Sequence, residues 1–199
     1  MDPQCGWCYG NSQNSALLYD SFKDQYDFKL LVGGMWIGEN APRGGAQFSN
    51  FIRSNGPQME ARTQMPLTNA FYNLCEDSTY TFSSIPSGCA IILAKKIASD
   101  KVFSFAKAVQ KAQFHDGNRL DVIETYLPIL EALKIDVDKF SNEWMSSNNQ
   151  ETTIQEFKQA QQYASGFPTL LQQEGEEVQV LTSGYFDFES VETYLKKLN

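Results

Sequence analysis

The chain has 199 residues, of which 42% are hydrophobic and 13% aromatic, so it can bury a substantial core. Its formal net charge of -8 argues against nucleic acid or an anionic membrane as a partner, because such surfaces need clustered lysine and arginine. The longest apolar run, Ala90–Ala94, is far too short to span a bilayer, and four cysteines are too few for a disulfide scaffold. We therefore expect an ordinary soluble globular protein.

Two cysteines stand two residues apart at the start of the first predicted helix, in the sequence Cys5-Gly6-Trp7-Cys8. A sulfur at a helix N-terminus lies beside unpaired backbone N–H groups and the positive end of the helix dipole, and both favour thiolate over thiol. We predict that Cys5 is the exposed nucleophile and that Cys8, one turn further on, is the less exposed, resolving thiol. Trp7 is expected to face solvent and to offer an apolar surface to unfolded or peptide substrates.

A metal half-site is the alternative interpretation of this cysteine pair. Structural zinc takes four ligands, and besides the pair the chain offers only Cys75, Cys89 and His115. We therefore favour redox chemistry and expect no metal. Cys75 and Cys89 could form a second disulfide, but we favour buried free cysteines that act as small apolar side chains.

Before Cys5 there are only four residues, too few for a signal peptide or for the strand that normally precedes a redox helix. The missing signal peptide favours a cytoplasmic protein, and a processed periplasmic chain stays an alternative. In a sheet that carries such a helix, the absence of this strand would leave the backbone groups of the neighbouring strands unpaired. We therefore predict that a strand fills this central position. That strand would come from residues upstream of Met1 in the natural protein or from a neighbouring copy of the chain.

The first helix is predicted over residues 8–26, because apolar residues recur at helical spacing, and Phe28–Val32 is predicted as a short buried strand. From residue 39 a helical region follows, in which Pro57 and Pro86 suit first turns and Asp100 and Asp136 suit N-caps. Helices are predicted there over residues 46–54, 57–75, 86–99, 101–113, 120–133, 137–147 and 152–164. This region predicts a helical insertion.

The last part of the chain has a different pattern. Residues 165–172 and 178–182 are predicted to form an antiparallel hairpin around a turn at 174–177, and Asp187 to Leu198 is predicted as an amphipathic helix. The sequence therefore returns to strands after the insertion.

The start of the chain (Cys5-Gly6-Trp7-Cys8-Tyr9-Gly10), the helical insertion and the later Gly166-Phe167-Pro168-Thr169 together resemble the DsbA-like branch of the thioredoxin superfamily. The similarity is greatest to the FrnE-like predicted protein-disulfide isomerases. The resemblance implies an α/β, thioredoxin-like fold with a large all-helical insertion. Residues 1–38 and 165–199 would form the thioredoxin-like domain, and residues 39–164 the insertion.

The resemblance also implies site residues. Pro168 would be a cis-proline that faces Cys5 and acts with the catalytic pair. Phe167 and Thr169, with Trp7, would bind the substrate, because the residue before the proline can pair backbone to backbone with a bound strand.

The function implied is that of a thiol–disulfide oxidoreductase or protein-disulfide isomerase that works through a mixed disulfide between substrate and Cys5. Its partners would be protein or peptide thiols and disulfides, together with a redox partner protein or glutathione. No cofactor is expected beyond the redox-active disulfide, with glutathione as a candidate co-substrate. The Gly-Trp dipeptide has no histidine to stabilise the thiolate, which leaves a potential near thioredoxin's, about -270 mV, as open as DsbA's, about -120 mV.

Two other functions remain open. A glutathione-dependent transferase or isomerase resembling the kappa class shares this architecture, but such enzymes use a serine where Cys5 stands and need no resolving thiol such as Cys8. A non-catalytic binding module could also keep the redox fold, and an inert, buried Cys5 would favour it.

Overall fold

The computed structural model describes residues 1–197, over which the chain forms ten α-helices and one two-stranded sheet. Leu198, predicted in the last helix, lies outside the described residues. The helices are α1 (Gly6–Gly10), α2 (Ser12–Phe22), α3 (Ala46–Thr63), α4 (Asn69–Glu76), α5 (Ser84–Ile97), α6 (Val102–Phe114), α7 (Leu127–Leu133), α8 (Val137–Glu143), α9 (Ser147–Tyr163) and α10 (Phe188–Leu195).

The single first helix predicted over residues 8–26 is instead two helices, α1 and α2, with Asn11 between them. The Asn11 side chain is buried, and its Oδ1 accepts the amide N–H of Phe186 at 3.1 Å. Its Nδ2 donates to the Ser15 hydroxyl at 3.2 Å. A buried polar side chain with these partners fixes the junction, and the redox turn therefore sits on a five-residue helix.

The predicted strand Phe28–Val32 does not form, because its backbone has no neighbouring strand to pair with. The amino group of Met1 donates to the Leu31 carbonyl at 2.9 Å, and the Gly33 N–H donates to the Met1 carbonyl at 2.8 Å. Within residues 1–197 no strand precedes Cys5, so the expected strand in the central position stays a prediction.

The insertion is helical, as predicted, with different boundaries. Helix α3 continues through Pro57, which was expected to begin a helix, and ends where Gln64 takes a left-handed conformation with φ 59°. Asp136 caps α8 as predicted, since its side chain accepts the Lys139 N–H at 2.9 Å. Asp100 lies in a short 3-10 turn and caps no α-helix.

The hairpin is confirmed. Strand β1 (Thr169–Glu174) pairs antiparallel with β2 (Glu177–Ser183), with an irregularity between Leu170 and Leu171. Gly175 in the connecting turn has φ 60°, which glycine adopts without steric cost. Helix α10 follows, and its buried residues pack with those of α2.

Three apolar clusters support these elements. The largest, the helical core, gathers side chains of α5 to α9 around Val32. A second, the aromatic cluster, lies between α1, α3, α4 and α6, and the third joins α2 and α10 beside the hairpin. Cys75 lies in the aromatic cluster and Cys89 in the helical core, both free and buried, in agreement with the favoured interpretation.

The redox helix α1 thus rests on the insertion, although the two belong to different predicted domains. The proposed division into residues 1–38, 39–164 and 165–199 stays a prediction. Among residues 1–197 no helix has the length and apolar composition needed to cross a bilayer.

Candidate active site

Cys5 is the N-cap residue of α1. Its backbone is extended (φ -87°, ψ 115°), so the side chain turns back over the helix start, and Sγ accepts the amide N–H of Cys8 at 3.3 Å. The capping role that serine or aspartate fills in other helices is here taken by the sulfur. The helix start therefore brings the two cysteines of the motif together.

Cys5 is not the exposed thiol that the sequence predicts. Cys5 and Cys8 are each only 4% exposed. A residue far along the chain contacts Cys5, since the Cys5 Sγ donates to the carbonyl oxygen of Phe167 at 3.3 Å. Cys8 lies in α1, and the Asp2 N–H donates to its Sγ at 3.5 Å.

The two sulfurs nevertheless differ in acidity. The Cys8 thiol, hydrogen-bonded to the Cys5 sulfur, lowers the pKa of Cys5, and the Cys8 N–H adds to this while burial opposes it. Burial raises the pKa of Cys8 well above that of an ordinary thiol, and the neighbouring Cys5 adds to this. The pair therefore holds one thiol that ionises readily and one that keeps its proton.

The Phe167–Pro168 peptide bond is cis, which confirms the prediction for this motif. Pro168 is buried, and the Phe167 ring packs against Gly33, where a Cβ atom would lie 2.0 Å from Phe167 Cζ. The Thr169 hydroxyl turns back to donate to the Gly166 carbonyl at 2.7 Å. The structure thus brings the Phe167 carbonyl, which directly precedes the cis-proline, to the Cys5 sulfur.

Trp7 was predicted to face solvent, but it is only partly exposed. Trp7 is half-buried and packs against the aromatic cluster, because removing a large apolar ring from water is favourable. Part of the ring remains accessible beside the redox turn.

Asp2 is a site residue that the sequence analysis missed. Its side chain is fully buried, and Oδ1 accepts the Gln4 N–H at 2.8 Å and the Ser84 hydroxyl at 3.0 Å. Its Oδ2 accepts the Met35 N–H at 2.8 Å. Burial raises the pKa of Asp2 to about 6, against the effect of these donors. The signal available in the sequence was an acid three residues before Cys5, but its burial depends on distant segments.

Gln4 is a second anchor of the redox loop, the segment of residues 2–5 that leads into α1. Its Nε2 donates to the Ser83 carbonyl at 3.0 Å and lies 3.4 Å from the Tyr80 hydroxyl. The redox loop is therefore attached to the insertion at residues 80–84. No three His, Cys, Asp or Glu side chains within residues 1–197 are grouped as metal ligands would be.

No protein-family model and no curated protein sequence matches the chain. Solved structures do share its fold. A proposed protein disulfide isomerase from Nitrosomonas europaea superposes with a TM-score of 0.85 at 20% identity, over 100% of this chain and 96% of that one. The cytosolic disulfide reductase DsbM from Pseudomonas aeruginosa gives 0.80 at 20% identity, over 99% and 95% of the two chains. DsbM with glutathione gives 0.77 at 22% identity, over 99% and 95%.

These superpositions extend over nearly the whole chain, so they concern the complete element order and not one motif. They confirm the predicted fold class, a thioredoxin-like fold of the DsbA type with a helical insertion. At such low identity the likeness establishes the fold alone.

Proposed function

We propose that this protein is a thiol–disulfide oxidoreductase in which Cys5 and Cys8 exchange electrons with the disulfides and thiols of protein or peptide substrates. The hydrogen-bonded sulfur pair carries the proposal, because it lowers the pKa of Cys5 and raises that of Cys8. An attacking thiolate beside a protonated thiol is the arrangement that two-step exchange needs.

Reduction of a substrate disulfide takes two thiol–disulfide exchange steps. The Cys5 thiolate attacks one sulfur of a substrate disulfide, forming a mixed disulfide and releasing the first substrate thiolate, which takes up a proton. Cys8 then loses its proton and attacks the Cys5 sulfur, which releases the second substrate thiolate. The substrate gains two electrons and becomes two thiols, while the protein becomes the Cys5–Cys8 disulfide. The same steps in reverse oxidise a dithiol substrate.

Phe167 would align the substrate. Its carbonyl oxygen lies 3.3 Å from the Cys5 sulfur, and its amide N–H has no acceptor among the described residues. A substrate strand whose disulfide reaches Cys5 would therefore run beside a free backbone donor. Pro168 adds no N–H of its own there, and the accessible part of Trp7 and the adjacent Thr169 would complete the contact surface.

Glutathione would return the disulfide to the dithiol, with oxidised glutathione as the product. The support for this is the fold shared with DsbM, which has been solved with glutathione. The same likeness supports a cytosolic location, as that protein is a cytosolic reductase. No cofactor other than the redox-active disulfide is needed for these steps.

One observation favours a second function, a binding module without catalysis. Cys5 is as buried as Cys8, which is what an inert cysteine would show. The lowered pKa of Cys5 argues against inertness. The kappa-class alternative is less well supported, since the Cys8 thiol is hydrogen-bonded to the Cys5 sulfur and such enzymes need no resolving thiol.

Equilibration in a series of reduced and oxidised glutathione mixtures tests the proposal. Free thiols are alkylated at each ratio and counted by intact mass and peptide mapping. We expect one two-electron transition confined to Cys5 and Cys8, and a Cys8→Ser variant that accumulates a Cys5–glutathione mixed disulfide because it cannot resolve it.

A Cys75→Ala/Cys89→Ala variant is the matched control, and its transition should be unchanged. A Cys5 that stays reduced at every ratio would contradict the proposal and favour the binding module. Mixed disulfides that persist in the wild-type protein would favour the transferase.

A further inference from the structure

Asp2 contacts both cysteines of the redox pair through its backbone. Its carbonyl accepts the Cys5 N–H at 3.2 Å, and its N–H donates to Cys8 Sγ at 3.5 Å. The position of Asp2 therefore affects the backbone of Cys5 and the hydrogen bond to the sulfur of Cys8.

The Asp2 side chain fixes that position from outside the loop. The Met35 N–H and the Ser84 hydroxyl both donate to the carboxylate, and Ser84 belongs to the first turn of α5 in the insertion. The Ser84 hydroxyl also accepts the Trp36 N–H at 3.1 Å, and the Ser84 N–H donates to the Trp36 carbonyl at 2.8 Å. One buried carboxylate thus joins the redox loop, the segment after residue 33 and the insertion.

The carboxylate also brings an unbalanced charge to the site. None of the ion pairs within residues 1–197 includes Asp2, and the amino group of Met1 has the smallest effect among the groups that act on it. Besides the Met1 amino group, the titratable groups in contact with Asp2 or affected by it are Cys5, which its charge affects, and Cys8, which its backbone N–H contacts. The Asp2 charge raises the pKa of Cys5, against the larger effect of Cys8 that lowers it.

We propose that Asp2 is a positioning residue of the redox pair, which holds the loop against the insertion and whose negative charge disfavours the Cys5 thiolate. This inference rests on the proposed function. A thiolate exists only in the reduced protein, so a charge that destabilises it raises the free energy of the dithiol form relative to the disulfide. Asp2 therefore makes the pair a stronger reductant than the same loop without the charge.

An Asp2→Asn variant tests the proposal. The asparagine carbonyl can still accept from Gln4 and Ser84, while the charge is gone. We expect the thiolate absorbance of Cys5 to titrate at lower pH than in the wild-type protein. We also expect the equilibrium constant for reduction of the pair by glutathione to rise roughly tenfold, as the loss of one nearby buried charge implies.

A Ser84→Ala variant is the control, because it removes one hydrogen bond from the carboxylate and keeps the charge. Its Cys5 titration should stay at the wild-type pH. Equal shifts in D2N and Ser84→Ala, or no shift in D2N, would overturn the role of the charge. If wild-type protein fails to equilibrate with glutathione, the proposed function fails, while the thiolate titrations still test the role of Asp2.

Wild-type protein supplies the test if D2N does not fold. Coupling between two sites is reciprocal, so oxidation of the pair removes the thiolate and should let Asp2 ionise at lower pH. The carboxyl carbon chemical shift of Asp2 reports the ionisation of Asp2 in the oxidised and in the reduced protein. The two are compared over the pH range in which the reduced protein shows the Cys5 thiolate absorbance. An unchanged titration would overturn the proposal.

Discussion

At the scale of single residues, Cys5 and Cys8 have the same burial and opposite acidity. What distinguishes them is their hydrogen bonds, since the Cys5 sulfur is surrounded by donors from Cys8 while Cys8 is buried beside that sulfur. Desolvation disfavours both thiolates, and the two hydrogen bonds from Cys8 outweigh it at Cys5, whereas the single hydrogen bond from the Asp2 N–H does not outweigh it at Cys8. Reactivity in this loop is therefore set by local donors rather than by exposure.

We predict that Cys5 is alkylated first when reduced protein is treated with iodoacetamide at pH 6–7. The lowered pKa gives Cys5 more thiolate than an ordinary cysteine, whose pKa is ~8.5, and the thiolate is the reacting form. Burial raises the pKa of Cys75 to about 12 and also raises that of Cys89, so both should react slowly. Peptide mapping of partly labelled protein gives the order.

The Cys5→Ser variant is the control, and its fast labelling phase should disappear. A first label on Cys8 or Cys75 would show that the roles of the sulfurs have been misassigned.

The motif made Cys5 and Cys8 recognisable in the sequence, but no local pattern predicted that both would be buried. Cys5 is buried by Phe167, which lies 162 residues further along the chain, and a contact at that separation leaves no local pattern. Asp2 was overlooked for the same reason, because its partners Met35 and Ser84 lie 33 and 82 positions away. Local patterns predict the chemistry of a loop, whereas its burial depends on the tertiary fold.

At the scale of elements, the loop at Gly33 and the loop before β1 fit together without room for a side chain. A Cβ on Gly33 would lie 2.0 Å from the Phe167 ring, whereas a Cβ on Gly166 meets no atom within 4 Å. The Phe167 ring can pack against this loop only because position 33 has no side chain. The backbone next to Pro168 is thus supported from the first part of the chain.

We predict that Gly33→Ala displaces the Phe167 ring, with a loss of stability of about 1–3 kcal/mol, as overpacking typically causes. The rate of exchange with a disulfide-containing peptide should fall too, because the Phe167 backbone moves with the ring. Urea unfolding and stopped-flow kinetics measure the two effects. Gly166→Ala is the matched control in the neighbouring loop, and its stability should stay within about 0.5 kcal/mol of wild type. Two variants with equal exchange rates would contradict the packing argument.

The elements themselves were largely predictable, with instructive exceptions. The hairpin and the helical insertion follow from periodicity, which reports the face that each segment buries. Pro57 was wrongly placed at a helix start, since α3 is held by packing that a propensity argument does not include. The strand Phe28–Val32 was wrong because a strand requires a paired neighbour, and pairing is not encoded in the segment itself.

At the scale of the whole molecule, Phe28–Val32 is attached to the insertion by side chains. Glu156 Oε1 accepts the Val32 N–H at 2.9 Å, and Lys95, which pairs with Glu156, donates to the Leu30 carbonyl at 3.1 Å. Lys95 is in α5 and Glu156 in α9, so this ion pair satisfies backbone groups that a strand would otherwise satisfy. It links the first part of the chain to the helical core.

The adjacent residue provides a matched comparison. Lys96 pairs with Glu143 at 2.9 Å, but the side chains are 56% and 37% exposed, against 30% and 13% for Lys95 and Glu156. Among residues 1–197, neither Lys96 nor Glu143 forms a hydrogen bond to the backbone of residues 28–33. The two ion pairs thus differ in burial and in whether they contact the backbone of residues 28–33.

We predict that Glu156→Ala lowers the free energy of unfolding by roughly 1–3 kcal/mol, because it leaves the Val32 N–H without its acceptor and Lys95 half-buried without its partner. Hydrogen exchange at the Val32 amide should accelerate in the folded protein, which reports loosening of this segment directly. Glu143→Ala should change neither quantity measurably, since exposed ion pairs contribute little. Equal losses in the two variants would mean that the Lys95–Glu156 pair acts only as another surface ion pair. In that case Phe28–Val32 would have to be held to the insertion by the packing of Val32 in the helical core.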